Sequence, residues 1–126
     1  TGEVAVSERL QLLRGVGGGA LMALLRRSRL VLVNGGDTLL QALALGRPCV
    51  AVPIAGDQAA RIARCVAAGG VEAPAPDAVV ARCAALLGEG SSGASLTALA
   101  DAARSAGFTD ALPGMVARIG EHLELA

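Results

Sequence analysis

Two short apolar segments, each followed by turn-forming residues, constrain this chain more than any other feature. Residues 30–33 and 49–52 are runs of aliphatic side chains with the length of a buried strand. Residues 38–45, which lie between them, have the apolar spacing of a helix, and Gly46 and Pro48 end it. Parallel strands need such a crossover connection, so this order of elements predicts a parallel sheet.

The rest of the chain continues this alternation, and residues 71–73 predict a third strand. Helices are expected over 20–27, from a cap at Asp57 to about 68, over 77–87, over 95–106 and over about 112–123. Residues 9–16 fit either a strand or a short helix, and the glycines at 17–19 predict a loop. We therefore expect one α/β domain over residues 1–126, Rossmann-like and three-layered, with a parallel sheet, helices on both faces and a helical C-terminal tail.

Composition excludes several classes of protein. The 126 residues carry 11 acidic and 11 basic side chains, so the net charge is zero, and Phe108 is the one aromatic residue. Nucleic-acid binders show a basic excess and often stacking aromatics, so no nucleic-acid partner is expected. No apolar run reaches the roughly 18 residues of a membrane span, and the N-terminus has no signal pattern. These features predict a cytoplasmic protein, and the missing initiator Met indicates a processed chain or part of a longer one.

The cysteines have neither the number nor the spacing of a metal or disulfide framework. Cys49, Cys65 and Cys83 are odd in number, far apart and without a C-x-x-C pair. They are expected to be reduced thiols of the core.

The residues after the first apolar segment are suited to an anion. Ligands of an open parallel sheet bind beyond the carboxyl ends of its strands. Gly35 and Gly36 permit a sharp turn and a close approach, and the helix that begins at Asp37 or Thr38 directs unpaired N–H groups at the same space. A phosphate would be stabilised there. The alternative is that Gly35 and Gly36 form only a tight turn.

The residues after the second apolar segment are suited to hydroxyl groups. Asp57 and Gln58 supply a carboxylate and an amide at the start of the next helix. Because Asp is also a common N-cap residue, a purely structural role is the alternative.

Together, residues 34–58 resemble the donor-binding segment of GT-B glycosyltransferases, including the antibiotic, UDP-glucuronosyl and peptidoglycan N-acetylglucosaminyl types. The shared pattern is Gly-Gly, Thr or Ser, a later Gly-x-Pro, a short apolar strand, Pro and then Asp-Gln, and the likeness extends over about residues 20–70. It implies the C-terminal half of a two-domain enzyme. That half would bind a nucleotide diphosphate-sugar, with UDP or TDP as the nucleotide, and neither a cofactor nor a metal is expected.

The resemblance assigns roles to seven residues: Asn34, Gly35, Gly36 and Thr38 at the donor diphosphate, Gln41 at the ribose, and Asp57 and Gln58 at the donor sugar. Some positions depart from the family. The phosphate-contacting His of the family falls on Asn34 or Val33, neither of which is a cation. Gln41 stands where the family has Glu, and an amide offers one acceptor where a carboxylate offers two. No aromatic segment is present to stack on the base.

The resemblance implies that the catalytic base lies outside these 126 residues. In the inverting members of the family the acceptor is deprotonated by a His or Asp of the N-terminal acceptor-binding domain, which these residues do not include. His122 fits a surface position, and Asp101 and Asp110 fit solvent-facing or helix-start positions, so no catalytic residue is assigned. The chain alone is expected to bind a donor without transferring the hexose to an acceptor hydroxyl. The alternative is a non-catalytic Rossmann-like subunit or docking module, and a nucleotide-sugar 2-epimerase ranks third.

Two further segments, one glycine-rich and one basic, have a possible binding role. Residues 15–19 are glycine-rich, but they lack the Gly-Lys-Ser/Thr of a P-loop and a clear preceding strand. Arg26, Arg27 and Arg29 form a basic cluster at a helix end, where they complement the helix dipole. The functional alternative for this cluster is a phosphate or a peripheral membrane contact.

Overall fold

The computed structural model describes residues 2–88 and 94–108, which contain five strands and five helices. The strands are β1 (Gly2–Ser7), β2 (Leu10–Arg14), β3 (Val31–Val33), β4 (Cys49–Ala51) and β5 (Val71–Glu72). The helices are α1 (Gly18–Arg27), α2 (Asp37–Ala44), α3 (Gln58–Ala68), α4 (Val79–Leu87) and α5 (Ala94–Ser105), and a 3-10 turn, Pro76–Ala78, leads into α4. The fold is mixed α/β, as the sequence predicts.

The three predicted strands form one parallel sheet in the order β3-β4-β5. Val31 lies opposite Cys49, and Cys49 lies opposite Val71. The predicted parallel sheet is confirmed, and each strand is one residue shorter than its predicted range.

Helices cover both faces of this sheet, as predicted. Cys49 and Ala51 pack in a cluster with residues of α2 and α3, whereas Val50 packs with residues of α4 and α5. The division follows from the strand itself, because successive side chains point to opposite faces. Both connecting helices, α2 and α3, contribute to the same cluster and so lie on one face, as crossovers of the same hand in a sequential strand order require.

The N-terminal region differs from the sequence prediction. β1 and β2 pair in an antiparallel hairpin, so the strand alternative for residues 9–16 is confirmed and the helix alternative is wrong. Gly18 and Gly19 lie in the first turn of α1, not in a loop, and Leu21 N–H bonds the carbonyl oxygen of Gly17 at 2.9 Å. Apolar spacing did not reveal this turn, because glycine adds no side chain to the pattern.

The C-terminal helices mostly follow their predicted ranges. The helix expected from residue 77 begins as the 3-10 turn, and its α-helical part begins at Val79. The helix expected over 112–123 lies outside the described residues. Within 2–88 and 94–108, no helix combines the length and the hydropathy that crossing a membrane requires.

The C-terminal half of α5 lies against the amino ends of the strands. Gly70, which precedes β5, has a φ of +89°, and a Cβ on it would lie 2.5 Å from the Cα of Ala103. Ala103 belongs to the core cluster around Cys49, whereas Leu96, two turns earlier, belongs to the cluster around Val50. α5 therefore connects the two halves of the core, and Gly70 sets how closely it approaches.

We expect Gly70→Ala to lower the free energy of unfolding by about 2–4 kcal/mol, because the added Cβ displaces α5 and the positive φ is strained. Urea denaturation followed by far-UV circular dichroism measures the loss. The matched control is Gly19→Ala, at an exposed helical position where a Cβ meets no atom within 4 Å. That change is expected to be neutral or to stabilise by up to about 1 kcal/mol. Equal losses in the two variants would contradict the close packing of α5.

The cysteines are free, and Cys49 and Cys65 are buried in the same cluster, as predicted, whereas Cys83 is half-buried. Burial raises the pKa of the Cys49 thiol from its ordinary 9.0 to about 12, and the neighbouring Cys65 contributes to the shift. Burial also raises the pKa of Cys65, against the opposing effect of Arg64 and Arg61.

The raised pKa of Cys49 predicts a loss of stability in alkali. Below pH 9 the thiol is protonated in both the folded and the unfolded chain, so it contributes no pH dependence. Between pH 9 and 12 the unfolded chain loses this proton while the folded chain keeps it, so the free energy of unfolding falls. Denaturation midpoints of the wild type and of Cys49→Ala, measured across this range, check the prediction. The variant should show a shallower decline, and parallel declines would contradict it.

Candidate functional site

Two polar turns meet at the carboxyl ends of β3 and β4. Residues 34–36 leave β3 and lead into α2, and residues 52–57 leave β4 and lead into α3. β3 and β4 are neighbours in register, with Val33 opposite Ala51, so the two turns begin side by side. This is the edge of a parallel sheet at which ligands bind.

Gly35 is buried where the two turns touch. A Cβ on Gly35 would lie 2.7 Å from the Cβ of Gln58 and 2.9 Å from Cγ1 of Ile62. No side chain fits at this position, so glycine is required by the approach of α3 and not by its own backbone angle.

Gln58 joins the two turns through one atom. Its Oε1 accepts a hydrogen bond from the N–H of Gly35 at 3.2 Å and another from the N–H of Ile54 at 2.9 Å. The side-chain oxygen is thus occupied by backbone donors from both strand ends. The Nε2 group makes no hydrogen bond within the described part of the chain, so it is the part of Gln58 left for the predicted sugar contact.

Asn34 holds the first turn from its own side. Its Oδ1 accepts a hydrogen bond from the N–H of Gly36 at 3.0 Å, an arrangement typical of Asx turns. Both glycine amides to which the resemblance assigns the diphosphate are therefore bonded within the chain. The amides of Asp37 and Thr38 lie in the first turn of α2, where N–H groups have no acceptor inside the helix.

The exposed face of α2 carries the other predicted residues of this turn. Thr38 is half-buried, whereas Asp37 and Gln41 are exposed. Gln41 follows Asp37 by four residues and Thr38 by three, so all three lie on one face of the helix. The structure brings the predicted ribose residue next to the predicted phosphate residue.

Arg61 is the residue of this site that the sequence reasoning missed. Its Nη1 donates a hydrogen bond to the carbonyl oxygen of Gly35 at 2.9 Å, and its side chain is 32% exposed. A guanidinium therefore lies beside the turn for which no cation was expected. The sequence feature that could have indicated Arg61 is its spacing: it follows Asp57 by one helical turn, on a helix that begins at the site.

Asp57 occupies the N-cap position of α3 without acting as the predicted cap. Its side chain makes no capping hydrogen bond, and it is 75% exposed. Its Oδ2 lies 3.9 Å from Nη2 of Arg61, at the outer limit of an ion pair. The carboxylate is directed to solvent at the site, where it is free to accept hydrogen bonds.

The described residues contain no metal-binding group of His, Cys, Asp and Glu side chains. Asp101 is exposed and pairs with Arg104, in agreement with its predicted solvent-facing position. His122 and Asp110 lie outside the described residues.

Comparisons with protein-family models, curated protein sequences and solved structures found no match to this chain. The resemblance to GT-B glycosyltransferases therefore depends on the sequence pattern of residues 34–58.

Replacing Gln58 tests whether it holds the two turns together. Gln58→Ala leaves the N–H groups of Gly35 and Ile54 without their acceptor, and the first of these is buried. We expect the free energy of unfolding to fall by about 1–3 kcal/mol in thermal or urea denaturation. The matched control is Gln41→Ala on the exposed face of α2, which should change it by less than about 0.5 kcal/mol. A loss no larger than the control's would show that Gln58 does not hold the turns.

Proposed function

We propose that this chain is the donor-binding half of a GT-B glycosyltransferase, a Rossmann-like domain that binds a nucleotide diphosphate-sugar. The observation that carries the proposal is the position of Arg61. Its guanidinium bonds the turn at Gly35 beside the N-terminus of α2, which combines a cation with a positive helix end at the edge of a parallel sheet. In this proposal Arg61 supplies the charge that the family obtains from a His.

The diphosphate is assigned to the first turn of α2. The amides of Asp37 and Thr38, the hydroxyl of Thr38 and the guanidinium of Arg61 are the donors for its oxygens. During transfer the departing diphosphate gains negative charge, and donors fixed in advance lower the barrier for that step. Asn34, Gly35 and Gly36 contribute by shaping the turn.

The rest of the donor is assigned along the two helices. Gln41, on the same face of α2 as Thr38, is assigned to the ribose. Asp57 is assigned to the sugar hydroxyls because its exposed carboxylate has acceptor capacity left, and the Nε2 of Gln58 adds a donor. An acceptor-binding N-terminal domain would face this edge and supply the base. The chain alone then binds the donor without turnover.

Two observations favour the alternative of a non-catalytic docking module. The N–H groups of Gly35 and Gly36 are already bonded to Gln58 and Asn34. In addition, the exposed carboxylate of Asp37 complements the helix end that an anion would use. In a docking module, these internal hydrogen bonds and the carboxylate of Asp37 would stabilise the turn, and no donor would be required.

Titration with UDP, TDP and GDP sugars decides between the two functions. In two-dimensional NMR spectra of the labelled chain we expect Kd values in the micromolar to millimolar range and shifts at the amides of Gly36, Thr38 and Asp57. Arg61→Gln should weaken binding by about tenfold, because it removes a charge-assisted hydrogen bond. The matched control is Arg64→Gln, which removes the same charge one turn further along α3, at an exposed position without an ion pair to the described residues.

A second variant separates attraction of the diphosphate from general disturbance of the turn. Asp37→Asn removes a negative charge from the first turn of α2, where it would repel the negative diphosphate. The variant should therefore bind the donor several-fold more tightly at low ionic strength, with a smaller gain at high salt. Amides that stay unshifted at millimolar donor in all variants would exclude donor binding and support the docking module.

A further inference from the structure

The opposite end of the sheet gathers arginines that the proposed donor site does not use. Arg29 lies two residues before Val31, and Arg47 lies two residues before Cys49. Because Val31 pairs with Cys49, the chain segments that carry these arginines enter the sheet side by side, and Val31 N–H bonds the carbonyl oxygen of Pro48 at 3.0 Å. This is the amino end of the strands, whereas the donor site lies at the carboxyl end.

A cavity of about 260 Å³ opens at this end, and three arginines line it. Arg104 comes from α5 and joins Arg29 and Arg47 there. The rest of the wall includes the hydroxyl-bearing Thr97 and the apolar Leu96 and Pro48. Three segments far apart in sequence thus bring guanidinium groups to one small space with a partly apolar lining.

Within residues 2–88 and 94–108, few carboxylates balance the positive charge of this cavity. Of its three arginines only Arg104 pairs with a carboxylate of the described residues, that of Asp101. Arg47 donates from Nη1 to the carbonyl oxygen of Arg26 at 3.4 Å, which places the charged end of α1 beside the cavity. Like charges that line one cavity repel each other, and an anion between them would relieve that repulsion. Arg26 and Arg27 are accounted for by the dipole of α1, but Arg29 and Arg47 are not.

Arg47 also has an unmet hydrogen-bonding group. Its Nε is shielded from solvent and has no hydrogen-bond partner among the residues that the structure describes. A buried donor without an acceptor costs free energy, and an acceptor supplied by a ligand would remove that cost. Arg47 lines the cavity, so its guanidinium is available to an anion there.

We propose that this cavity binds a small ligand carrying a phosphate ester, held by Arg29, Arg47 and Arg104. Guanidinium groups match the geometry of phosphate oxygens, and the hydroxyl of Thr97 adds a donor. Leu96 and Pro48 provide a surface for the organic part of the ligand. The cavity is smaller than the range of about 300–1,000 Å³ usual for larger ligands, which favours a compact one. The site is independent of the proposed donor site.

The test is titration of the 126-residue chain with glycerol 3-phosphate, read by NMR against sodium chloride of matched ionic strength. Shifts are expected at the amides of Arg29, Arg47 and Thr97. Because Arg29 and Arg104 are exposed, Arg29→Gln and Arg104→Gln should fold, and each should weaken binding by at least about fivefold. Arg64→Gln serves as the matched control for charge, and Arg61→Gln as the control for binding at the donor site. Both should leave the affinity unchanged within about twofold.

A second arm identifies the source of the phosphate. Sedimentation with phosphatidylcholine vesicles, with and without phosphatidylglycerol, presents the same glycerol phosphate group in a lipid. Binding to the soluble ester that is sensitive to Arg29 and Arg104 assigns a free metabolite, and retention on the anionic vesicles with the same sensitivity assigns a lipid headgroup. The proposal is overturned if neither arm shows binding. It is equally overturned if Arg64→Gln weakens binding as much as Arg29→Gln, since the attraction would then be general.

Discussion

The central strand β4 is the constraint on which the rest of this fold depends. Cys49, Val50 and Ala51 are each fully buried, with 0% of their surface exposed. A strand buried on both faces needs a helical layer on each side, and only apolar side chains can occupy it. Residues of α1, α2 and α3 pack on one side of β4 and residues of α4 on the other, while α5 contributes to both sides, so all five helices pack around this strand.

The small size of the side chains around this strand lets the helices approach closely. A Cβ on Gly70 would lie 2.5 Å from Cα of Ala103, and a Cβ on Gly35 would lie 2.7 Å from Cβ of Gln58. The first contact closes the amino end of the sheet and the second the carboxyl end. In a chain with one aromatic residue, such contacts replace the large rings that usually fill a core. They also fix the positions of the polar groups beside them, Arg104 at one end and Gln58 at the other.

Local sequence patterns were sufficient to predict the sheet but not the site. Residues 30–33 and 49–52 show their strands directly, because apolar runs bounded by turn residues have few other structures available. The partners of Gln58 and Arg61 could not be predicted in this way. Their contacts with Gly35 span 23 and 26 residues, and they exist only once β3 and β4 are in register. Spacing along the chain places a side chain on a helix, whereas its hydrogen-bond partner depends on which strand lies next to that helix.

The sequence also does not show how charged side chains are grouped in space. A net charge of zero argues against binding to an extended polyanion, which needs many cations on one surface. It does not describe how the charges are distributed. Arg29, Arg47 and Arg104 gather at the amino ends of the strands, while the exposed Asp37 and Asp57 lie at the carboxyl ends with Arg61 beside them. A neutral total therefore combines a cavity lined by three arginines with one site of mixed charge. The fold separates charges that composition averages out, so the net charge of the chain does not describe either surface.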